Sequence, residues 1–271
     1  MNEVLNIENI RKSFAINYIG RASTLGTEYK NVINGLTLTL NRGEVTSLVG
    51  GNGAGKTSLF NLISGLLRPD SGKIIFTGSK AEIDCCTTSP WRIARAGIGR
   101  GFQGTRIFGE LSVMEHLMLQ ATPSRLEVQF NKLFISQSRQ KHKDIEDRIR
   151  HELSPFSEFD DMLKYIRKPA SSLSYAKQRL LSMAGLMIGD YDLLLLDEPS
   201  SGLSLDSLDV IYAMIALMKE KGKSIFLIEH NMEFVRKSSD ICHYMSAGEI
   251  KFSGTPEEVL NNQIVQESYL L

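Results

Sequence analysis

The hydrophobic positions of this chain alternate between two spacings along most of its length. Short apolar runs, which are typical of buried strands, occupy residues 4–10, 44–49, 73–78, 191–198, 224–230 and 241–246. Apolar residues at helical spacing follow the second run, from residue 59 to 67, and recur from 205 to 221. Pro69 is expected to close the first of these helices and Gly222 the second. Strands that alternate with helices predict parallel pairing in an α/β sheet.

Two segments depart from this alternation. A polar stretch with scattered aromatics runs up to Asn31 and predicts a hairpin excursion. Between residues 104 and 172, "VMEHLML" favours a helix and the mixed-charge run "KHKDIEDRIRHE" is typical of a solvated helix face. We therefore expect a mostly helical subdomain there. Further on, Thr255 and Glu258 of "TPEEVL" predict a capping box at a helix start.

Composition narrows the class of protein. The chain has 271 residues, and 31 lysines and arginines balance 31 aspartates and glutamates, so the formal net charge is zero. This balance argues against a nucleic-acid binder, which usually carries a basic excess. Cys85, Cys86 and Cys242 show no spacing typical of a disulfide framework or a zinc site, and we expect reduced thiols in the cytosol. The first residues do not resemble a secretory signal, and no apolar stretch approaches the ~20 residues that span a bilayer.

The segment "GGNGAGKTS", residues 50–58, matches the pattern G-x-x-x-x-G-K-[ST] of a phosphate-binding loop. It follows a predicted strand and opens a predicted helix, which is the context that the pattern requires. Glycines let several backbone amides point at one phosphate, and the helix start adds partial positive charge. Lys56 can reach the β- and γ-phosphates, and the Thr57 hydroxyl can bind magnesium. The predicted nucleotide-binding residues of the loop are Gly50, Asn52, Gly53, Ala54, Gly55, Lys56, Thr57 and Ser58.

Acidic and histidine side chains follow the later predicted strands. Asp197 and Glu198 end the leucine run of "LLLLDEP", and ligands of open α/β sheets gather at the carboxyl ends of strands. We expect Asp197 to hold magnesium through water and Glu198 to act as general base toward an attacking water. Both can serve only if the strand ends there, which Pro199 favours. His230 of "IEHNM" can bond a γ-phosphate and orient the water, although a histidine at a strand end is often only structural.

The motifs stand in the order "GGNGAGKTS", "GFQG", "LSYAKQR", "LLLLDEP" and "IEH". This order closely resembles that of the ATP-binding subunits of ABC transporters, and the resemblance covers nearly the whole chain. It implies an α/β fold with a RecA-like P-loop NTPase core, an antiparallel β-subdomain near the N-terminus and an α-helical subdomain. In one ABC ATPase domain of residues 1–271, the core and β-subdomain are expected at 1–103 and 173–271, and the helical subdomain with its permease-facing surface at 104–172.

The resemblance also implies roles for single residues. Phe14 matches the aromatic that stacks on adenine, with Tyr18 and Tyr29 as competitors for that role. Gln103 matches the glutamine that contacts magnesium and senses the membrane partner, and His230 matches the switch histidine. The expected cofactors are ATP and Mg²⁺. The expected catalytic residues are Lys56, Gln103, Glu198 and His230, and the expected magnesium ligands are Thr57, Gln103 and Asp197.

The same resemblance implies an assembly. Two such subunits close head to tail over two ATP molecules, each held between one chain's phosphate loop and the other chain's signature. The implied partners are transmembrane permease subunits, a second ABC ATPase subunit in a homo- or heterodimer and, indirectly, a solute-binding protein, but no nucleic acid. The implied location is cytoplasmic, peripheral on the inner face of the cell membrane. "GIGRGFQGTRIFGELSVMEHLML" and "GTPEEVL" resemble the ATPases of branched-chain amino acid, urea and amide importers, without naming the solute.

The signature of this chain departs from the family pattern of leucine-serine-glycine-glycine-glutamine. Leu173 and Ser174 are kept, and Tyr175, Ala176 and Lys177 follow. Because alanine resists the close approach and positive φ that glycine allows, we expect an impaired site on the partner's ATP; a plain helix start is the alternative interpretation. Two rivals to an importer ATPase remain. One is an ATP-binding regulatory subunit with weak hydrolysis, and the other is a soluble ABC ATPase outside transport.

Overall fold

The computed structural model describes residues 2–19, 25–101, 104, 107–121, 135–163 and 166–270. Its strands are β1 Glu3–Ile19, β2 Leu25–Asn41, β3 Val45–Val49, β4 Ser71–Thr77, β5 Glu82–Asp84, β6 Ile98–Gly101, β7 Leu193–Asp197, β8 Ser224–Ile228, β9 Ile241–Ser246 and β10 Glu249–Gly254. Its helices are α1 Lys56–Ile63, α2 Pro90–Ala96, α3 Val113–Ala121, α4 Ile135–Leu153, α5 Ser157–Leu163, α6 Tyr175–Ile188, α7 Leu205–Glu220, α8 Met232–Ser238, α9 Pro256–Leu260 and α10 Gln263–Leu270.

A six-stranded, mainly parallel sheet has the order β10-β9-β3-β8-β7-β6. β3 pairs in parallel with β8 and β9, and β7 pairs in parallel with β8 and β6. β10 adds an antiparallel edge beside β9. The predicted α/β sheet with parallel pairing is therefore confirmed. Because β3, β8 and β7 are neighbours that run in one direction, their carboxyl ends meet at one edge.

Side chains of the central strands alternate between two hydrophobic cores. In β7, Leu194 and Leu196 pack with α3, α6 and α7, whereas Leu193 and Leu195 pack with α1 and the second sheet. Every residue of β3, β7 and β8 is buried, as expected for parallel strands that are covered on both faces. This double burial explains the uninterrupted leucine run of β7.

A second, antiparallel sheet has the order β2-β1-β4-β5. β1 and β2 each have 17 residues and pair as one hairpin, in which Phe14 lies opposite Lys30. The predicted hairpin is confirmed. The first strand, however, was expected to end at Ile10 and continues to Ile19, because backbone hydrogen bonds to β2 sustain it where the apolar alternation stops.

The described part of the segment between the sequence limits 104 and 172 is mostly helical. α3, α4 and α5 contribute Leu117, Ile149 and Phe159 to the same hydrophobic cluster as Leu194 of β7. The helical segment therefore shares its core with one face of the central sheet. Its exact limits stay a prediction. Among the described residues, no helix combines the length and the hydropathy that crossing a bilayer demands.

Helix ends follow local signals in the sequence. α1 ends at Ile63, earlier than predicted, because Gly65 takes a left-handed φ of +70°. α7 ends as predicted, and Gly222 after it has φ +78°. The predicted capping box at α9 is confirmed: Glu258 N donates to Thr255 Oγ1 at 3.3 Å, and Thr255 N donates to Glu258 Oε2 at 2.8 Å.

The aromatic pair under the phosphate loop offers a test of the packing. Phe60 of α1 and Phe226 of β8 are both fully buried, with ring centroids 5.2 Å apart. We expect Phe226→Ala to lower the free energy of unfolding by about 3–5 kcal/mol, because the ring leaves a cavity. Phe108→Ala is the matched control: its ring is 60% exposed, and a change within about 0.5 kcal/mol is expected. Urea denaturation of both variants measures this, and equal losses would contradict the packing described here.

Candidate active site

An open cleft of about 470 Å³ lies where β3, β8 and β7 end. It joins segments that are distant in sequence: the loop after β3, the turns after β7 and β8, and parts of β1 and β2. The residues that line it are Phe14, Lys30, Val32, Asn52, Gly53, Ala54, Gly55, Lys56, Thr57, Ser58, Glu198, Ile228 and His230. All predicted nucleotide-binding residues except Gly50 therefore line one cleft.

The phosphate loop is pressed against the strands beneath it. A Cβ at Gly50 would collide with the carbonyl oxygen of Met245 in β9. A Cβ at Gly55 would lie 2.7 Å from the carbonyl oxygen of Val32, and Gly55 also has a left-handed φ of +107°. Both positions therefore require glycine, and the close packing fixes the curve of the loop.

Lys56 is the first residue of α1, and its side chain is buried in the loop. Its Nζ donates hydrogen bonds to the carbonyl oxygens of Gly50, at 2.6 Å, and Gly51, at 3.0 Å. Burial lowers the pKa of Lys56, while the charges of Glu198 and Asp197 raise it. The ammonium group is thus a partly desolvated cation between the loop and two carboxylates.

The acidic pair lies where β7 ends. β7 stops at Asp197, and Glu198 takes a left-handed φ of +49°, which breaks the alternation of side chains along the strand. The strand therefore ends where the expected joint use of both carboxylates requires. Burial raises the pKa of Asp197, and the charges of Arg100, Lys56 and Arg179 oppose that shift.

Glu198 contacts the predicted switch histidine. Its Oε1 lies 3.4 Å from Nε2 of His230. The backbone of Glu198 is held on both sides: its N–H donates to the carbonyl of Ile228 at 2.9 Å, and Arg179 Nη2 of α6 donates to its carbonyl oxygen. The distance between Glu198 and His230 is short enough for both side chains to contact one water molecule.

Glu229 is a feature of the site that the sequence analysis missed. Its side chain is 2% exposed and does not line the cleft. Its carboxylate accepts hydrogen bonds from the amides of Ser200, His230 and Asn231, at 2.8, 3.0 and 3.3 Å. The sequence signal was an acidic residue directly after the apolar run of β8, where a charged side chain is seldom buried without partners.

The adenine-binding aromatic was left open between three residues. Phe14 lines the cleft and is 40% exposed, whereas Tyr29 is 71% exposed and is not part of the lining. The side chain of Tyr18 lies outside the described residues. Lys12 Nζ lies 5.7 Å from the centre of the Phe14 ring. The position of Phe14 favours it over Tyr29.

Residues of the predicted signature start a helix away from this cleft. Ser174 is the N-cap of α6, and its Oγ accepts from the amide of Lys177 at 3.5 Å. Ser174, Ala176 and Lys177 instead line a separate hollow of about 330 Å³. Ala176 lies inside α6 and is not among the described non-glycine residues with positive φ, so the argument that glycine is needed there for positive φ is wrong. Gln103 lies outside the described residues.

The oxygen donors of the site suit a hard divalent cation. Thr57 offers a hydroxyl in the cleft and Asp197 a buried carboxylate beside it. Mg²⁺ in proteins usually takes one or two carboxylates and completes its shell with phosphate oxygens and water. Within the described ranges, no group of three or more His, Cys, Asp or Glu side chains forms a metal cage. The donor set therefore fits a cation that arrives with a phosphate ligand.

Comparisons with known proteins relate this chain to ATP-binding proteins of transport systems. A family model described as "ABC transporter" matches residues 33–201. The high-affinity branched-chain amino acid transport ATP-binding protein LivG of Escherichia coli K12 is 33% identical over 240 residues, which cover 88% of this chain and 91% of that protein. The lipopolysaccharide export system ATP-binding protein LptB of Haemophilus influenzae is 32% identical over 255 residues, which cover 92% and 95%.

The fold has close counterparts among solved structures. A crystal structure of a nucleotide-free ATP-binding cassette from an ABC transporter is similar with a TM-score of 0.73 and 26% identity, over 98% of each chain. The sequence relatives and this structure extend over most of the chain, so they cover the phosphate loop as well as the turns after β7 and β8.

The packing of the phosphate loop predicts the effect of one added methyl group. We expect Gly55→Ala to raise the Kd for ATP about tenfold or more, because the Cβ strains φ and collides with Val32. Gly43→Ala is the control, since Gly43 has φ +69° but open space around it. Titration with a fluorescent ATP analogue measures both Kd values. Equal binding by the two variants would contradict a loop held by close packing.

Proposed function

This chain belongs to the ABC transporter family as an ATP-hydrolysing subunit, and we propose that it powers an importer of branched-chain amino acids or a related small polar solute. Two observations support the importer: the similarity to LivG and the motifs shared with importer ATPases. The similar identity to LptB, a protein of an export system, makes the direction of transport a matter for experiment.

The hydrolytic roles follow from the convergence of Lys56, Glu198 and His230 on one cleft. Lys56 binds the β- and γ-phosphates when its Nζ exchanges loop carbonyls for phosphate oxygens. Glu198 accepts a proton from the attacking water, and His230, 3.4 Å away, contacts the γ-phosphate and orients that water. Phe14 stacks on the adenine. The contact between Glu198 and His230 is the single observation that carries this mechanism.

Thr57, Asp197 and Gln103 are the proposed ligands of Mg²⁺, which neutralises charge on the β- and γ-phosphate oxygens when it is bound. The raised pKa of Asp197 reflects the burial of an anion. A divalent cation beside a buried carboxylate offsets the desolvation of that anion, as Arg100 and Lys56 do in part.

The assembly is a dimer of two ABC ATPase subunits on the inner face of the membrane, bound to permease subunits and served indirectly by a solute-binding protein. In this proposal the core of 1–103 and 173–271 binds ATP, and the segment 104–172 faces the permease. Phe108, exposed by 60%, supports the second assignment, since an exposed aromatic ring is typical of contact surfaces. The signature from Leu173 to Lys177 completes the partner's site, which agrees with its absence from the lining of this chain's own cleft.

Glu198→Gln tests the hydrolytic role. We expect ATP turnover to fall at least about 100-fold with ATP binding retained, because the amide cannot accept the proton. Phosphate release and a binding titration on the purified chain measure the two effects. Vesicles that contain this chain together with its companion permease, supplied with radiolabelled leucine, then test the direction of transport. Turnover that is unchanged in Glu198→Gln would refute the mechanism, and ATP-driven loss of solute from the cytosolic side would refute an importer.

A second candidate function is an ATP-binding regulatory subunit with weak hydrolysis. Two observations favour it: the signature has alanine where the family has glycine, and the Ser174 hydroxyl caps its own helix. Under this alternative the wild-type turnover is slow and Glu198→Gln does not change it. In a heterodimer the two ATP sites differ. The site on this chain's phosphate loop is completed by the partner's signature, and the site on the partner's phosphate loop is completed by the altered signature of this chain.

Ala176→Gly tests whether the altered signature limits turnover. Ala176 is helical in the structure, so a gain in turnover can come only from closer approach of the partner's nucleotide to the backbone. We expect about a threefold or larger rise in kcat for the homodimer, despite a helix cost of about 1 kcal/mol. Ala216→Gly on the exposed face of α7 controls for that cost. No gain in Ala176→Gly would remove the argument that alanine limits the site.

A further inference from the structure

Glu229 ties together the two turns that carry the reacting side chains. Its Oε1 accepts from Ser200 N at 2.8 Å, in the turn that follows Glu198. Its Oε2 accepts from His230 N at 3.0 Å and Asn231 N at 3.3 Å, in the turn after β8. A single buried carboxylate therefore spans the gap between β7 and β8 just beyond their ends.

These bonds act on a strained segment. Glu198 has φ +49°, a conformation that costs a non-glycine residue about 1–2 kcal/mol. Such a conformation persists only where surrounding contacts hold it. Glu198 N donates to Ile228 O at 2.9 Å, and Arg179 donates to the carbonyl oxygen of Glu198. Two residues further on, Glu229 holds the chain at Ser200 N. Hydrogen bonds from amides to a carboxylate are among the stronger ones in proteins.

We infer that Glu229 is a positioning residue for ATP hydrolysis, which sets the spacing between Glu198 and His230 by holding both turns on one carboxylate. The inference rests on the proposed function. Glu229 does not line the cleft, so it acts through the backbone of its neighbours. A small displacement of reacting groups lowers the rate of chemistry far more than it weakens binding.

The role requires two acceptor oxygens. A glutamine side chain has nearly the same shape but offers one oxygen and one NH₂ group. In Glu229→Gln, the NH₂ group must face either Ser200 N or the pair His230 N and Asn231 N, and two donors repel. One turn therefore keeps its hydrogen bonds to the side chain at position 229, and the other turn loses them. The substitution changes one atom and separates the turns without opening a cavity.

The first measurement is the steady-state kinetics of Glu229→Gln, normalised to the concentration of ATP-binding sites. We expect kcat to fall about tenfold or more and KM for ATP to change less than about twofold. Asp192→Asn is the matched control: Asp192 Oδ2 accepts from Ser79 N and Ser79 Oγ, both at 2.9 Å, before β7 begins. This variant loses a carboxylate that also accepts backbone and side-chain hydrogen bonds, but at the start of β7, away from the cleft. Its kcat is expected to stay near that of the wild type.

A double-mutant cycle with His230→Ala separates positioning from general stability. If Glu229 acts through the spacing of His230 and Glu198, Glu229→Gln should cost less than about threefold in single-turnover rate once His230 is absent. Additive losses, or a Glu229→Gln rate equal to the wild-type rate, would overturn the inference. Should Glu229→Gln not fold, Glu229→Asp keeps both oxygens on a shorter stem, and the same cycle applies to it.

Glu198→Gln in the same series distinguishes the two proposals. A wild-type turnover that Glu198→Gln abolishes, together with an unaffected Glu229→Gln, refutes only the positioning role. Turnover that Glu198→Gln leaves unchanged refutes the hydrolytic mechanism itself, and the positioning role with it.

Discussion

Parallel pairing of β3, β8 and β7, buried on both faces, is the constraint on which the rest of this molecule depends. Apolar side chains must leave each strand alternately into two cores, so no face of these strands is free to carry chemistry. Most of the functional side chains therefore lie at the carboxyl ends of these strands and in the segments that follow them. Because the three strands are neighbours, those turns meet, and residues that are more than a hundred positions apart in the sequence line one cleft.

The site is held mainly by backbone groups. Lys56 bonds two loop carbonyls, Arg179 bonds the carbonyl of Glu198, and Glu229 binds three amides. This arrangement also places several charges in a partly desolvated region, where they act on each other more strongly than in water. Burial lowers the pKa of Lys56 and raises that of Asp197, and the opposite charges nearby offset part of both shifts.

Sequence reasoning succeeded where the information is local. The phosphate loop, the strands β3, β7, β8 and β9, and the capping box at Thr255 are each encoded within about ten residues of sequence. It failed where a distant partner decides the structure. β6 reads Ile-Gly-Arg-Gly, which predicts no strand, yet it pairs with β7, and a Cβ at Gly99 would lie 2.8 Å from Tyr191 and Leu194. The role of Glu229 and the left-handed φ of Glu198 could not be read either, because both depend on contacts between turns.

Residues 173–177, the predicted signature, can serve both as the start of α6 and as a segment that contacts a nucleotide. The Ser174 hydroxyl caps the amide of Lys177, but a helix leaves its first four amides without partners inside the helix. The remaining amides and the partial positive charge at this end can still face an anion outside the chain. Further along α6, Arg179 bonds the carbonyl of Glu198. If the start of α6 contacts a partner's nucleotide, as proposed, the same rigid helix connects that nucleotide to the turn that holds this chain's own general base.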